Sequence, residues 1–215
     1  SNKGRSMGPF ASQASTENYS NKVEKIMSNY VVLTLGEKKI TAWGVKGSTV
    51  IMPKHLANRL RTCREFGLQF LNSVSRELIV LVEDCVISDF GGKDLAAIEL
   101  KGVPPLFKDC SKFLPRRGRE FSHINAMVLD VDSRTRVVTE LETRLAGFRL
   151  NFVAQDGEQK IQSDSVVMYT VQRPGMCGSL VCVDSETPVV AMHIAGSEAQ
   201  NRGVGVMLYR EDFNV

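Results

Sequence analysis

The sequence predicts an all-β chain folded as two barrels, and three observations carry that prediction. Short runs rich in Val, Ile, Leu, Thr, Tyr and Phe recur along the chain, each bounded by Gly, Pro, Ser or charged residues. Helical periodicity is weak outside one short segment near the start. A proline- and arginine-rich stretch, KGVPPLFKDCSKFLPRRGRE over 101–120, interrupts the rhythm once near the middle. At 215 residues the chain is one large domain or two small ones.

The elements follow in order. Residues 1–16 are Ser-, Gly- and Asn-rich with little to bury, and read as a flexible arm. From Glu17 to Asn29 the spacing of Val23, Ile26, Met27 and Tyr30 suggests a short amphipathic helix. Then come the β-like runs YVVLTL, KITAWGV, STVIMP, LIVLVEDCVI and DLAAIEL, with a weaker helical signal over Lys54–Thr62. These place an N-terminal barrel with its helix at 17–105 and a linker at 106–120. A second barrel at 121–215 contains INAMVLDV, RTRVVTELE, FRLNFVA, QKIQ, SVVMYTV, GSLVCV, PVVAMHIAG and VGVMLY. Asp156-Gly157 marks a hairpin turn, because glycine accepts the positive φ such turns need.

Composition narrows the function. Hydrophobic residues make up 43% and charged residues 24%, which excludes a disordered chain. A net charge of +3, from 27 basic and 24 acidic residues, is too small to argue for nucleic acid by itself. Five cysteines in a chain long enough to bury a core point to reduced thiols rather than a disulfide scaffold. The run Leu78–Val82 is too short to cross a bilayer, and SNKGRSMGPF has no apolar region of a signal peptide. Cysteines at 63, 85, 110, 177 and 182 form no CxxC pair, and no HExxH is present, so neither zinc nor another cofactor is expected. Gly91-Gly92-Lys93 lacks the remaining spacing of a phosphate-binding loop.

One segment points to chemistry. In RPGMCGSLV, over Arg173–Val181, Pro174 and Gly175 impose a tight turn, and Gly178 leaves Cys177 unobstructed. The N–H groups of Gly175, Met176 and Cys177 can face one concavity, which acyl transfer requires beside a nucleophile. The competing reading is a small buried hydrophobe in an ordinary turn. A nucleophilic thiol needs a base. His55 sits after Pro53 at the exit of an apolar run, where a strand end would mount it rigidly. His123 reads as a linker or surface residue, and His193, between Met192 and Ile194, as a core side chain on a strand. Asp94, opening DLAAIEL, is the preferred carboxylate to orient His55; Glu83, Asp84 and Asp89 compete with it.

The order His55, Asp94, Cys177, the turn PGMCGS and the later MHIAG resemble the 3C-type cysteine proteases of picornaviruses and picorna-like viruses. The resemblance runs from Val23 onward. It implies two chymotrypsin-like antiparallel six-stranded barrels with a short N-terminal helix. It also implies Cys177 as nucleophile, His55 as general base and acid, Asp94 as orienting carboxylate, and Gly175, Met176 and Cys177 as the oxyanion hole. By the same resemblance His193 lies in the pocket for the substrate's P1 residue and donates to a glutamine or glutamate carbonyl. Gln172 stands where family members often carry a threonine, and Gly196, with Gly205, leaves room for substrate. Ser179 replaces a glycine common in the family, and the Asp156-Gly157 hairpin resembles the ribbon that folds over the substrate cleft.

The expected substrate is a viral polyprotein, with host proteins as further substrates, in the cytoplasm of an infected cell. The alternative is a binding module on the same scaffold, with Arg116, Arg117 and Arg119 contacting viral RNA as the linker does in enteroviral relatives. Three exposed charges would contribute only a salt-sensitive affinity.

Overall fold

The computed structural model describes residues 18–71, 77–119, 124–171 and 173–213. The arm at 1–16 and His123 lie outside them. The helix predicted at the start is α1, Tyr19–Ser28. Asn18 caps it, its side-chain oxygen accepting the Asn21 N–H at 2.8 Å. Val23 and Ile26 point into the core, whereas Tyr30 already begins a strand.

Seven strands build the first sheet: β1 Tyr30–Leu35, β2 Lys38–Lys46, β3 Thr49–Met52, β4 Glu65–Phe70, β5 Leu78–Leu81, β6 Cys85–Asp89 and β7 Ala96–Leu100. Their order is β5-β4-β1-β2-β3-β7-β6, with every neighbouring pair antiparallel. The six strands expected become seven: of the five apolar runs in this half LIVLVEDCVI splits in two, and β4 forms outside them. A 3-10 turn at Val82–Asp84 breaks the run and sends β5 and β6 to opposite ends of the sheet. A short helix, α2 Lys54–Leu60, follows β3.

The second sheet is a closed barrel of six strands: β8 Asn125–Val131, β9 Val138–Asp156, β10 Gln159–Tyr169, β11 Leu180–Cys182, β12 Val189–Ser197 and β13 Arg202–Met207. RTRVVTELE and FRLNFVA fall on one 19-residue strand, β9, and QKIQ and SVVMYTV on another, β10. They close at the predicted hairpin, where Asp156 pairs with Gln159 and Gly157 adopts φ +61°. The chain is thus all-β in two sheets, the architecture of the chymotrypsin-like fold. No helix among the described residues is long and apolar enough to cross a membrane.

Why the apolar runs are unbroken follows from burial on both faces. Along β1, Tyr30 and Val32 join a cluster that reaches Leu129, Leu180 and Leu208 of the second half, while Val31 and Leu33 fill the interior of the first sheet. A strand with one wet face would alternate instead. The connection at 101–119 is also partly core: Cys110, Phe113 and Leu114 are buried, and Asn29 Nδ2 donates to the Lys108 carbonyl at 2.8 Å. Trp43, fully buried, donates its indole N–H to the Ile26 carbonyl at 2.9 Å and ties α1 to β2.

Candidate active site

His55 lies not at a strand end but as the second residue of α2, directly after β3 and Pro53. Proline fixes the backbone at the helix entry and needs no N–H there. Asp94 holds His55 twice. Its Oδ1 accepts the His55 backbone N–H at 2.9 Å and its Oδ2 faces the ring Nδ1 at 2.6 Å. Asp94 is buried, and its own N–H donates to Ser163 Oγ at 2.9 Å, so a residue of β10 sets the carboxylate. Next to it, buried Lys93 places Nζ 2.9 Å from the Met207 carbonyl and 2.8 Å from Asp212 Oδ2. The competing acids stand elsewhere: Glu83 and Asp84 are exposed, and Asp89 pairs with Arg61 at 3.0 Å.

Cys177 comes from the second half, in the turn before β11. Gly175 and Gly178 both have positive φ, +77° and +94°. At Gly178 glycine is also required by contact, since a Cβ would lie 2.3 Å from the Thr41 carbonyl oxygen of β2. The turn is fastened by Gly178 N–H to the His193 carbonyl (3.0 Å), His193 N–H to the Ser179 carbonyl (2.8 Å) and Ser179 N–H to the Met176 carbonyl (2.9 Å). Cys177 Sγ itself lies 3.3 Å from the Ile194 carbonyl. Serine at 179 has a structural use, because its buried hydroxyl accepts the Val131 N–H at 3.1 Å.

A cavity of about 300 Å³ gathers His55, Gly175, Met176, Cys177, His193, Ile194 and Gly196, with Ala154, Gln155 and Ile161 of the β9–β10 ribbon also lining it. His193 is 1% exposed, and Tyr169 Oη lies 2.5 Å from its Nδ1. Burial, reinforced by the charge on His55, pushes the His193 imidazole down to about 3. Burial, and then charge on Cys177, pushes the Tyr169 phenol well above its ordinary value. Both rings are therefore neutral near pH 7. Gly203 and Gly205 leave room for the Tyr169 ring: a Cβ would lie 2.4 Å from it at Gly203 and 3.3 Å at Gly205.

Gln172 lies outside the described residues. Arg116, Arg117 and Arg119 are on the connection, away from this cavity. Arg117 folds back onto the C-terminal 3-10 turn, donating to Asp212 Oδ1 at 2.6 Å and through its backbone to Glu211 at 2.8 Å. Of the other cysteines, burial raises Cys110 to about 11 and Cys182 to about 12, leaving both as protonated, hydrophobe-like thiols. Cys85 is only half-buried, although it stands in an apolar run. Sequence reasoning missed Ser163, Tyr169 and the Lys93–Asp212 pair. Each sits far along the chain from the residue it holds, and no local pattern marks it.

Comparison with known proteins bears on this geometry. No curated protein sequence matches the chain. Among solved structures, the HRV-C 3C protein with rupintrivir matches with a TM-score of 0.59 and 19% identity, over 89% of this chain and 99% of that one. The tobacco etch virus protease complexed with product matches with a TM-score of 0.60 and 15% identity, over 95% and 83%. A human pathogenic astrovirus serine protease matches with a TM-score of 0.56 and 15% identity, over 88% and 94%. At these identities the likeness establishes the two-sheet fold. The sequence model of the 3C cysteine proteases (picornain 3C) matches residues 16–198, the span that holds His55, Asp94, Cys177 and His193, and the chain belongs to that family of cysteine proteases with a chymotrypsin-like fold.

Proposed function

We propose that this protease is a viral enzyme that cleaves its polyprotein after glutamine, or glutamate, at P1, in the cytoplasm of the infected cell. Host proteins with the same P1 chemistry would be further substrates. The observation that carries the reading is one cavity shared by His55, which Asp94 grips through two hydrogen bonds, by Cys177, and by a buried neutral histidine, His193.

In the proposed reaction His55 removes the Cys177 proton and the thiolate sulfur attacks the scissile carbonyl carbon. Asp94 accepts from Nδ1–H, which leaves Nε2 to take that proton. The developing oxyanion is met by the N–H groups of Gly175, Met176 and Cys177. His55 then protonates the departing amine. Water, deprotonated by His55, attacks the thioester and releases the acid product and the free thiol. For P1 selection, Tyr169 O–H donates to His193 Nδ1, and the single proton of the neutral imidazole resides on Nε2. That N–H is available to a side-chain carbonyl, and a P1 residue without one would leave it unpaired. A neutral donor also favours an amide over a carboxylate, which would bring an uncompensated charge.

The test is cleavage of a peptide with Gln at P1 beside the same peptide with Asn, Glu or Leu there. The expected result is cleavage after Gln that Cys177→Ala abolishes with the fold intact by circular dichroism. Equal cleavage of the Leu peptide would overturn the P1 assignment, and full activity of Cys177→Ala would overturn the thiol mechanism.

A further inference from the structure

We propose that Tyr30 is a positioning residue for the Cys177 turn, acting through a hydroxyl that bridges the β8–β11 ladder from the opposite sheet. The inference rests on the proposed thiol mechanism. Tyr30 opens β1 of the first sheet and is completely buried. Its hydroxyl accepts the Leu180 N–H at 2.8 Å and donates to the Leu129 carbonyl at 3.0 Å. Leu180 and Leu129 are opposed residues of β11 and β8 in the second barrel. A side chain from one sheet is thus inserted in the backbone ladder of the other, three positions beyond Cys177 in the chain.

The placement couples the two halves of the site. Tyr30 pairs with Trp43 of β2, and Trp43 with Ile51 of β3, the strand that leads through Pro53 to His55. The sheet that carries the base therefore also holds the strand that leaves the nucleophile. A second hydroxyl closes the adjoining gap, where Ser179 Oγ accepts the Val131 N–H at 3.1 Å. Nearby, the Thr41 carbonyl presses on Gly178. These contacts determine how far the Cys177 turn stands from β1–β3, and hence from His55. The buried phenol stays protonated, so the bridge keeps its donor across the working pH range. Without the hydroxyl, Leu180 N–H and Leu129 C=O each lose the bond it makes to them, and the turn moves to recover partners.

Tyr30→Phe keeps the ring and removes only the hydroxyl. The expected result is a kcat lowered roughly tenfold with KM within about twofold of the original protein, since misplacement of reacting groups acts on the transition state. A second readout needs no substrate. The alkylation rate of Cys177 by iodoacetamide, followed on the Cys177 peptide by mass spectrometry between about pH 5 and 9, reports its pairing with a base. Tyr30→Phe is expected to move this profile toward that of an isolated thiol. A purely structural tyrosine would lower the melting temperature while leaving kcat and the profile unchanged, and that result overturns the proposal. If Tyr30→Phe does not fold, Ser179→Ala removes the neighbouring bridge, and a folded Ser179→Ala with unaltered kcat and profile overturns it equally. Should the unsubstituted protein cleave none of these peptides, the proposed P1 reading fails by itself, and the alkylation profile still decides the role of Tyr30.

Discussion

Replacing Gly178 by alanine tests a close approach between the two sheets. The backbone there has φ +94°, where an L-residue with a Cβ costs about 1–2 kcal/mol. The added methyl would also lie 2.3 Å from the Thr41 carbonyl oxygen and 3.0 Å from its carbon. Ordinary contact begins near ~3.4 Å, so the turn and β2 must part by about 1 Å. Neither side yields cheaply. Thr41 is held in the ladder opposite Val32, and Gly178 N–H is bonded to the His193 carbonyl. Overpacking of this kind adds about 1–3 kcal/mol, for a total of about 2–5 kcal/mol. The same displacement separates Cys177 from His55, and a shift of about 1 Å at reacting groups costs roughly 100-fold in rate. Urea denaturation measures the first effect. Cleavage of the Gln peptide, at a temperature where both proteins are folded, measures the second. Stability within about 0.5 kcal/mol of the original together with kcat/KM within about threefold would show that the sheets are not in tight register here.

Two further perturbations examine the buried titratable groups. His193 has its folded-state value pushed down to about 3, below the ordinary 6.5, so the unfolded chain binds its proton first. Its contribution is complete above about pH 6.5 and is lost as pH falls toward 3, by up to about 1.4 kcal/mol per pH unit. Denaturation midpoints across this window should fall less steeply in His193→Gln, and parallel slopes would refute the assignment. Asp212→Ala strands the Lys93 ammonium, whose value burial already lowers, and should destabilise by about 3–5 kcal/mol. Combining it with Lys93→Met should recover much of that loss in the same denaturation measurement.

Much of the fold was legible because its signals are local. YVVLTL coincides with β1 residue for residue, and the Asp-Gly pair stands at the turn of the β9–β10 ribbon. β4 went unseen as a run, since Gly67 breaks the apolar pattern of EFGLQF; the gap belongs to the Glu77 side chain, which a Cβ at Gly67 would meet at 2.1 Å. LIVLVEDCVI read as one strand because nothing in its hydropathy tells a strand from the 3-10 turn at Val82–Asp84. His55 was expected at a strand end and stands instead in the first turn of α2, since the proline that marks the boundary equally well starts a helix. His193 looked like a core histidine and is as buried as one, yet it also lines the cavity.

The sequence by itself determined the strand-forming runs, the glycine-flanked turn around Cys177 and the residue types available for acyl transfer. Each depends on neighbours a few positions apart, through φ preferences and apolar periodicity. Only the tertiary structure decided which acid meets His55, that Tyr169 faces His193, and that Tyr30 and Ser163 reach across to support the opposite half. Those contacts join residues 24 to 150 positions apart. Their partners are selected by the way two sheets pack, which no local pattern encodes.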